Sequence, residues 1–200
     1  MLIIPAAVAA ATFTAFTVAS ASSAPKWYVG GSELKTTETI GGLAEPSDLT
    51  VAGVSTKCEH SYYVAKILNS GELGKGEVTN LPLYECSANA NCTLAKLEPT
   101  KLPWKLHTVY EESKPYLVIE GVAIATEYTG SSCAIKGKAE VTGSIGGLVE
   151  NSTHKTVFSA ASAQATGASL KVGTATVEFT GSYTVEAVGP EHAGQTVEAR

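Results

Sequence analysis

The stretch Val177–Ala187, VEFTGSYTVEA, alternates without a break. Val177, Phe179, Gly181, Tyr183, Val185 and Ala187 hold the odd positions, while Glu178, Thr180, Ser182, Thr184 and Glu186 hold the even ones. A period of two over such a run marks a β-strand with one buried face. Gly181 raises the alternative of a hairpin turning at Gly181–Ser182. That turn would pair Phe179 with Thr184 and Glu178 with Val185, which mixes the faces where register is most strongly specified. A three-residue loop pairing Phe179 with Tyr183 keeps the faces pure, as does a continuous strand. The unbroken alternation favours the continuous strand, with Gly181 marking a bend or a bulky neighbour opposite it.

An earlier segment carries the same pattern. Glu140–Ile145 reads EVTGSI and Glu178–Tyr183 reads EFTGSY. In the first copy Ala139, Val141, Gly143 and Ile145 share one face, and Lys138, Glu140, Thr142 and Ser144 the other. Two strands of like pattern, each with an inward glycine, suggest equivalent places in sheets that curve around one core. Two copies are too few for a solenoid.

Working outward, short apolar runs rich in Thr, Val and Tyr are separated by turn residues, and helical periodicity is almost absent. That spacing predicts an all-β domain. Strands are expected at Lys26–Val29, Lys35–Ile40, Leu49–Thr56, Tyr62–Leu68, Gly76–Tyr84, Thr93–Leu97, Trp104–Glu112, Tyr116–Tyr128, Cys133–Ile145, Lys155–Ala160, Ser169–Thr180 and Gly181–Val188. The segment Ala160–Gly167, AASAQATG, reads as a loop. The expected architecture is a single domain of antiparallel strands, a two-sheet sandwich or a flattened β-barrel.

The chain opens with an uncharged run that ends at Lys26, closing on small residues. An apolar core followed by small residues reads as a secretory leader over residues 1–24, cleaved after Ala21 or Ala24, leaving residues 25–200 as one domain. The rival is a retained membrane anchor, since the run is long enough to span. Secretion implies an extracellular protein with no membrane association once the leader is removed. The net charge is −5, and Arg200 is the lone arginine. Phosphate recognition favours the arginine fork, so the composition excludes a nucleic-acid binder.

The four cysteines, Cys58, Cys86, Cys92 and Cys133, form an even set behind a leader and read as two disulfides with three possible pairings. The expected pairing is Cys86–Cys92, closing the loop CSANANC, with Cys58–Cys133. Chain-entropy arguments make these worth roughly 2.4 and 4.5 kcal/mol. Zinc is the competing reading of Cys58-Glu59-His60, but no CxxC pair or second nearby histidine completes a site. No metal and no cofactor are expected.

Together the leader, Leu102-Pro103-Trp104, the Cys86/Cys92 loop before it, Cys133 after it and the closing VTG and FTG strands resemble secreted bacterial β-proteins of no assigned function. The resemblance implies an extracellular, disulfide-bonded protein and brings no catalytic residues with it.

The one aspartate is Asp48, and no G-x-S-x-G elbow, calcium loop or paired histidine spacing occurs. In the hairpin Trp104–Ile124, a three-residue turn at Ser113-Lys114-Pro115 would pair Glu112 with Tyr116, Thr108 with Glu120 and Leu106 with Val122. Glu120 would then sit among apolar neighbours, as a glycosidase acid does, with Glu111, Glu112 or Glu127 supplying the second carboxylate. Tyr62 and Tyr63 must face opposite ways in a strand, so one of them is available to a ligand. The sequence therefore points to a non-catalytic secreted or surface domain with a structural or binding role, its partner a cell-surface polymer or a second copy. A polysaccharide hydrolase using Glu120, and a small-ligand carrier with a cavity inside a barrel, are the alternatives.

Overall fold

The alternating stretch is one continuous strand whose side chains obey the expected parity. Val177, Tyr183, Val185 and Ala187 are buried, Phe179 and Gly181 are half-buried, and Glu178 through Glu186 at even positions are exposed. A Cβ on Gly181 would lie 3.0 Å from the Tyr183 ring and 3.3 Å from the Ser47 Cβ, and the ladder slips beside it. Gly181 therefore stands beside an irregularity in the ladder, and the ring that crowds it belongs to Tyr183 on the same strand, not to its β3 partner Ser47.

The computed structural model describes residues 24–71, 73–89 and 91–200. The leader expected over residues 1–24 lies outside the described residues except for Ala24. The strands in chain order are β1 (Trp27–Val29), β2 (Ser32–Glu33), β3 (Glu38–Val51), β4 (Val54–Ser70), β5 (Leu73–Asn80), β6 (Leu83–Ala88) and β7 (Thr93–Pro99). They continue with β8 (Trp104–Glu111), β9 (Lys114–Thr129), β10 (Gly137–Glu150), β11 (Lys155–Phe158), helix α1 (Ala160–Thr166), β12 (Leu170–Val172), β13 (Ala175–Ala187) and β14 (Val197–Ala199).

Their pairing forms a ring. β13 pairs with β3, β3 with β4, β4 with β5, β5 with β8, β8 with β9 and β9 with β10, all antiparallel. The last position, between β10 and β13, is shared by the short strands β11 and β12, each of which pairs with both neighbours. The ladder thus returns on itself as a barrel with eight strand positions, a closure that leaves an interior just wide enough for side chains. Ile40, Ile67, Val78, Trp104, Leu117, Val122, Val141 and Tyr183 fill it. Each such side chain stabilises the fold by about 1.5–3 kcal/mol.

Two pairs of inward hydroxyls satisfy each other, as burial favours. The Ser61 and Tyr183 hydroxyls meet at 2.8 Å, and so do those of Thr56 and Tyr128. A second sheet, ordered β14-β1-β2, joins the first described strands to the last and packs onto one end of the barrel. Trp27, Val29, Leu34, Val197 and Ala199 are buried there. The Trp27 indole donates to the Lys75 carbonyl at 3.2 Å, and the Asn69 side-chain amide donates to the Trp27 and Leu34 carbonyls at 3.0 Å.

Several sequence expectations are corrected. The disulfides are Cys58–Cys86 and Cys92–Cys133, not Cys86–Cys92 with Cys58–Cys133. Cys58 and Cys86 are directly opposed on β4 and β6, while Cys92 and Cys133 lie just outside the paired ends of β7 and β9. Leu49–Thr56 is a hairpin rather than a strand: Ala52 and Gly53 both take positive φ, and Val51 pairs with Val54. Ser169–Thr180 is likewise interrupted at Gly173 (φ +57). Residues 160–167 contain a helix, not a loop, and that helix builds the site.

Candidate functional site

Along β10, Thr142 and Gly143 pair with β12 and Gly147–Glu150 with β11, leaving Ser144, Ile145 and Gly146 with neither. Along β13, Ala175–Val177 pair with β12 and Gly181–Thr184 with β11, leaving Glu178, Phe179 and Thr180 with neither. The two TGS motifs fix the limits of this interruption. Gly181 stands opposite Phe158, the last residue of β11, and Gly143 opposite Leu170, the first of β12. Between those points the chain leaves the wall of the barrel as α1 and its C-terminal connection.

Local chemistry explains the detour. Ser159 caps α1: its hydroxyl accepts from the Ser162 N–H at 3.1 Å, and the Ser162 hydroxyl accepts from the Ser159 N–H at 2.8 Å. This reciprocal box satisfies two N–H groups that a helix start leaves open. Gly167, at φ +67, ends the helix in the left-handed region. The Ser162 hydroxyl also lies 2.7 Å from the Gly146 carbonyl, tying the helix to β10. Gly146 permits that approach, since a Cβ there would fall 2.0 Å from the Thr166 Oγ1 and 3.1 Å from the Ser162 carbonyl. The Ser144 N–H donates to the Ser169 carbonyl at 3.0 Å and the Ser169 N–H to the Ser144 hydroxyl at 3.2 Å. On the β10 edge the Ser144 N–H and the Gly146 carbonyl are thus taken by α1 and its connection.

The β13 edge is not. The Val185 N–H donates to the His154 carbonyl on this edge, at 2.9 Å. Strand alternation turns the N–H and C=O of Phe179 to the same edge, where no residue of β11 or β12 stands opposite. The space beside it is a pocket of about 220 Å³. Phe158, Phe179, Ile145 and Leu170 supply its apolar lining, Ala160, Ala163 and Gln164 its helical wall, and Thr176 and Glu178 its outer rim. The Phe158 and Phe179 rings meet edge-on with centroids 5.5 Å apart. Glu178 is the one charged lining residue, and it forms no ion pair with any described residue.

Phe179 also borders two voids inside the barrel, each about 20 Å³. Voids of that size hold about one water apiece, so the interior is filled and the larger space lies in the barrel wall.

The structure separates the residues singled out from sequence. Tyr62 and Tyr63 do face opposite ways. Tyr62 lies over Gly41, half-buried on the outer face, while Tyr63 is buried inside against Gly42 and Tyr183. The Tyr63 hydroxyl faces Thr156 without a hydrogen bond of normal geometry, and burial pushes its phenol well above the ordinary value. Burial also raises the phenols of Tyr183 and Tyr128.

Glu120 is exposed and opposes Lys105, not Thr108. The turn falls on Glu112 and Ser113, both at positive φ, so the hairpin closes three positions away from the expected register. Gly121, at φ +72, is the extra residue of a bulge facing Gly143–Ser144, and inward parity on β9 switches there from Leu117 and Ile119 to Val122 and Ile124. A shallow depression of about 280 Å³ gathers Glu111, Glu112 and Tyr116 beside α1 but does not include Glu120. Asp48 accepts from the Thr50 hydroxyl at 2.9 Å and the Ser55 hydroxyl at 2.5 Å, which fastens the β3–β4 hairpin. The buried Glu38 carboxylate meets the His192 Nδ1 at 2.5 Å, anchoring the loop that follows β13.

Among the described residues no group of three or more His, Cys, Asp or Glu is placed to hold a metal, and no helix is long and apolar enough to cross a membrane. The wall pocket escaped the sequence reading. Its one signal was Ser159-x-x-Ser162 followed by Gly167, a capping box written with serine where glutamate is the usual partner. Comparison with protein-family models, curated proteins and solved structures finds no match to this chain.

Proposed function

We propose that the protein is a secreted, non-catalytic binding domain that takes a small ligand in the pocket of its barrel wall. The carrying observation is the unpaired edge at Phe179, an open peptide group beside an apolar lining. Ligand sites combine a mostly apolar surface with a few placed polar groups, and this pocket has that composition on a smaller scale than drug-sized sites of about 300–1,000 Å³. Two disulfides suit an oxidising compartment and support the extracellular setting that the leader and the resemblance to secreted bacterial β-proteins imply.

The test is a nuclear magnetic resonance titration of the secreted domain with small uncharged probes such as benzyl alcohol, cyclohexanol and acetanilide. Binding is expected to shift the amides of Ser144, Leu170 and Phe179 together. Ala163→Trp, which fills the helical wall, should abolish those shifts. Absence of any localised shift at millimolar probe, or shifts that survive Ala163→Trp unchanged, would remove the pocket as a binding site.

A further inference from the structure

The pocket carries an uncompensated negative charge at its rim, and from this we infer that its preferred ligand is a small organic ammonium ion. The inference rests on the binding role proposed above and adds the chemical class. Glu178 projects from the outer face of β13 at the rim, as its even position in the alternation requires. It opposes Thr50 on β3, has no cationic partner among the described residues, and is the one charge in the pocket lining.

The matched glutamate of the first TGS motif makes an instructive contrast. Glu140 accepts from the Lys101 ammonium at 2.7 Å, and that partner holds its carboxyl below the ordinary range. The carboxylate at the pocket has no such lysine, so an ammonium brought by a ligand would take the corresponding place.

One further feature favours a cation. The Phe179 carbonyl, turned to the open edge, offers a second acceptor to an N⁺–H donor. A ligand of this class joins a compact apolar body, to meet Ile145, Leu170 and the Phe158 and Phe179 rings, to a single positive head at the rim. The volume of about 220 Å³ limits that body to roughly one ring or a short alkyl chain.

Three near-isosteric probes separate charge from shape: benzylammonium, benzyl alcohol and benzoate. Titrations at low salt, mapped on the Phe179 and Leu170 amides, should rank them in that order. The ammonium is expected to bind about 2- to 5-fold tighter than the alcohol, as an exposed rim ion pair allows. Glu178→Gln should erase that preference, bringing the ammonium to the affinity of the alcohol for the same variant, and added salt should narrow it in the wild type. Equal affinities for ammonium and alcohol, or a preference that survives Glu178→Gln, would overturn the ammonium assignment and leave the binding role standing. Failure of all three probes to shift those amides would overturn the binding role and the assignment with it.

Discussion

The barrel has two places where a pair of long strands changes neighbours, and it treats them differently. On one side β4 pairs with β5 along Val64–Ser70 and with β6 along Thr56–Ser61, while β9 passes from β8 to β7. β6 and β7 do not pair with each other, and each is fastened covalently, Cys58–Cys86 to β4 and Cys92–Cys133 to the turn beyond β9. The void there is about 20 Å³. On the other side β10 and β13 pass from β12 to β11, no disulfide intervenes, and α1 is held by hydrogen bonds and close packing at Gly146. The space left is about 220 Å³. Covalent closure accompanies the tight side, and small-residue, hydrogen-bonded closure accompanies the side with room for a ligand.

The largest effect that bears on this contrast comes from alkali, which attacks both sides at once. Tyr63 and Tyr183 lie in the main core, and Tyr128 lies in the smaller cluster with Val54 and Cys92. Burial raises all three phenols, so the folded state keeps protons that the unfolded chain releases above pH ~10. Stability is therefore intact below that pH and falls above it, by up to about 4 kcal/mol per pH unit while all three stay protonated. Denaturant melts from pH 9 to 12, read beside tyrosinate absorbance, check this. Early titration of all eight tyrosines in the folded protein would show that the barrel interior is wet.

Next in size is the covalent side. Replacing Cys58 and Cys86 together by serine opens a closure of 28 residues and should cost about 3.6 kcal/mol in a denaturant melt. The helical side should respond less. Gly146→Val forces the helix away from β10 and is expected to cost about 1–3 kcal/mol, with faster proteolysis confined to residues 159–169. Ser162→Ala removes the capping box and the bond to the Gly146 carbonyl, for about 1–2 kcal/mol. Smallest is Glu120→Gln, which should change stability by less than about 0.5 kcal/mol because the side chain is exposed. A large loss there would restore the buried placement expected from the sequence.

How much of this was legible depended on how local each feature is. The β13 strand and its buried face followed from alternation within eleven consecutive residues. The opposite orientations of Tyr62 and Tyr63 followed from strand geometry alone. The β8–β9 turn falls on Glu112 and Ser113 rather than on Ser113-Lys114-Pro115, and both residues adopt positive φ without the Gly or Asn that usually announces such a turn. Nearness in sequence favours Cys86–Cys92, whereas β6 pairs with β4 at Cys58, a non-local choice that local spacing does not reveal. The pocket required three such choices at once: β11 and β12 in one slot, α1 outside it, and β13 left open.

That open edge is the claim on which the rest stands, and amide hydrogen exchange reads it at a single residue. Phe179 should exchange far faster than Val177, Gly181 and Tyr183, whose N–H groups face partners on β12 or β11. Protection at Phe179 equal to that of these neighbours would mean that the ladder runs on uninterrupted and that no pocket divides the wall.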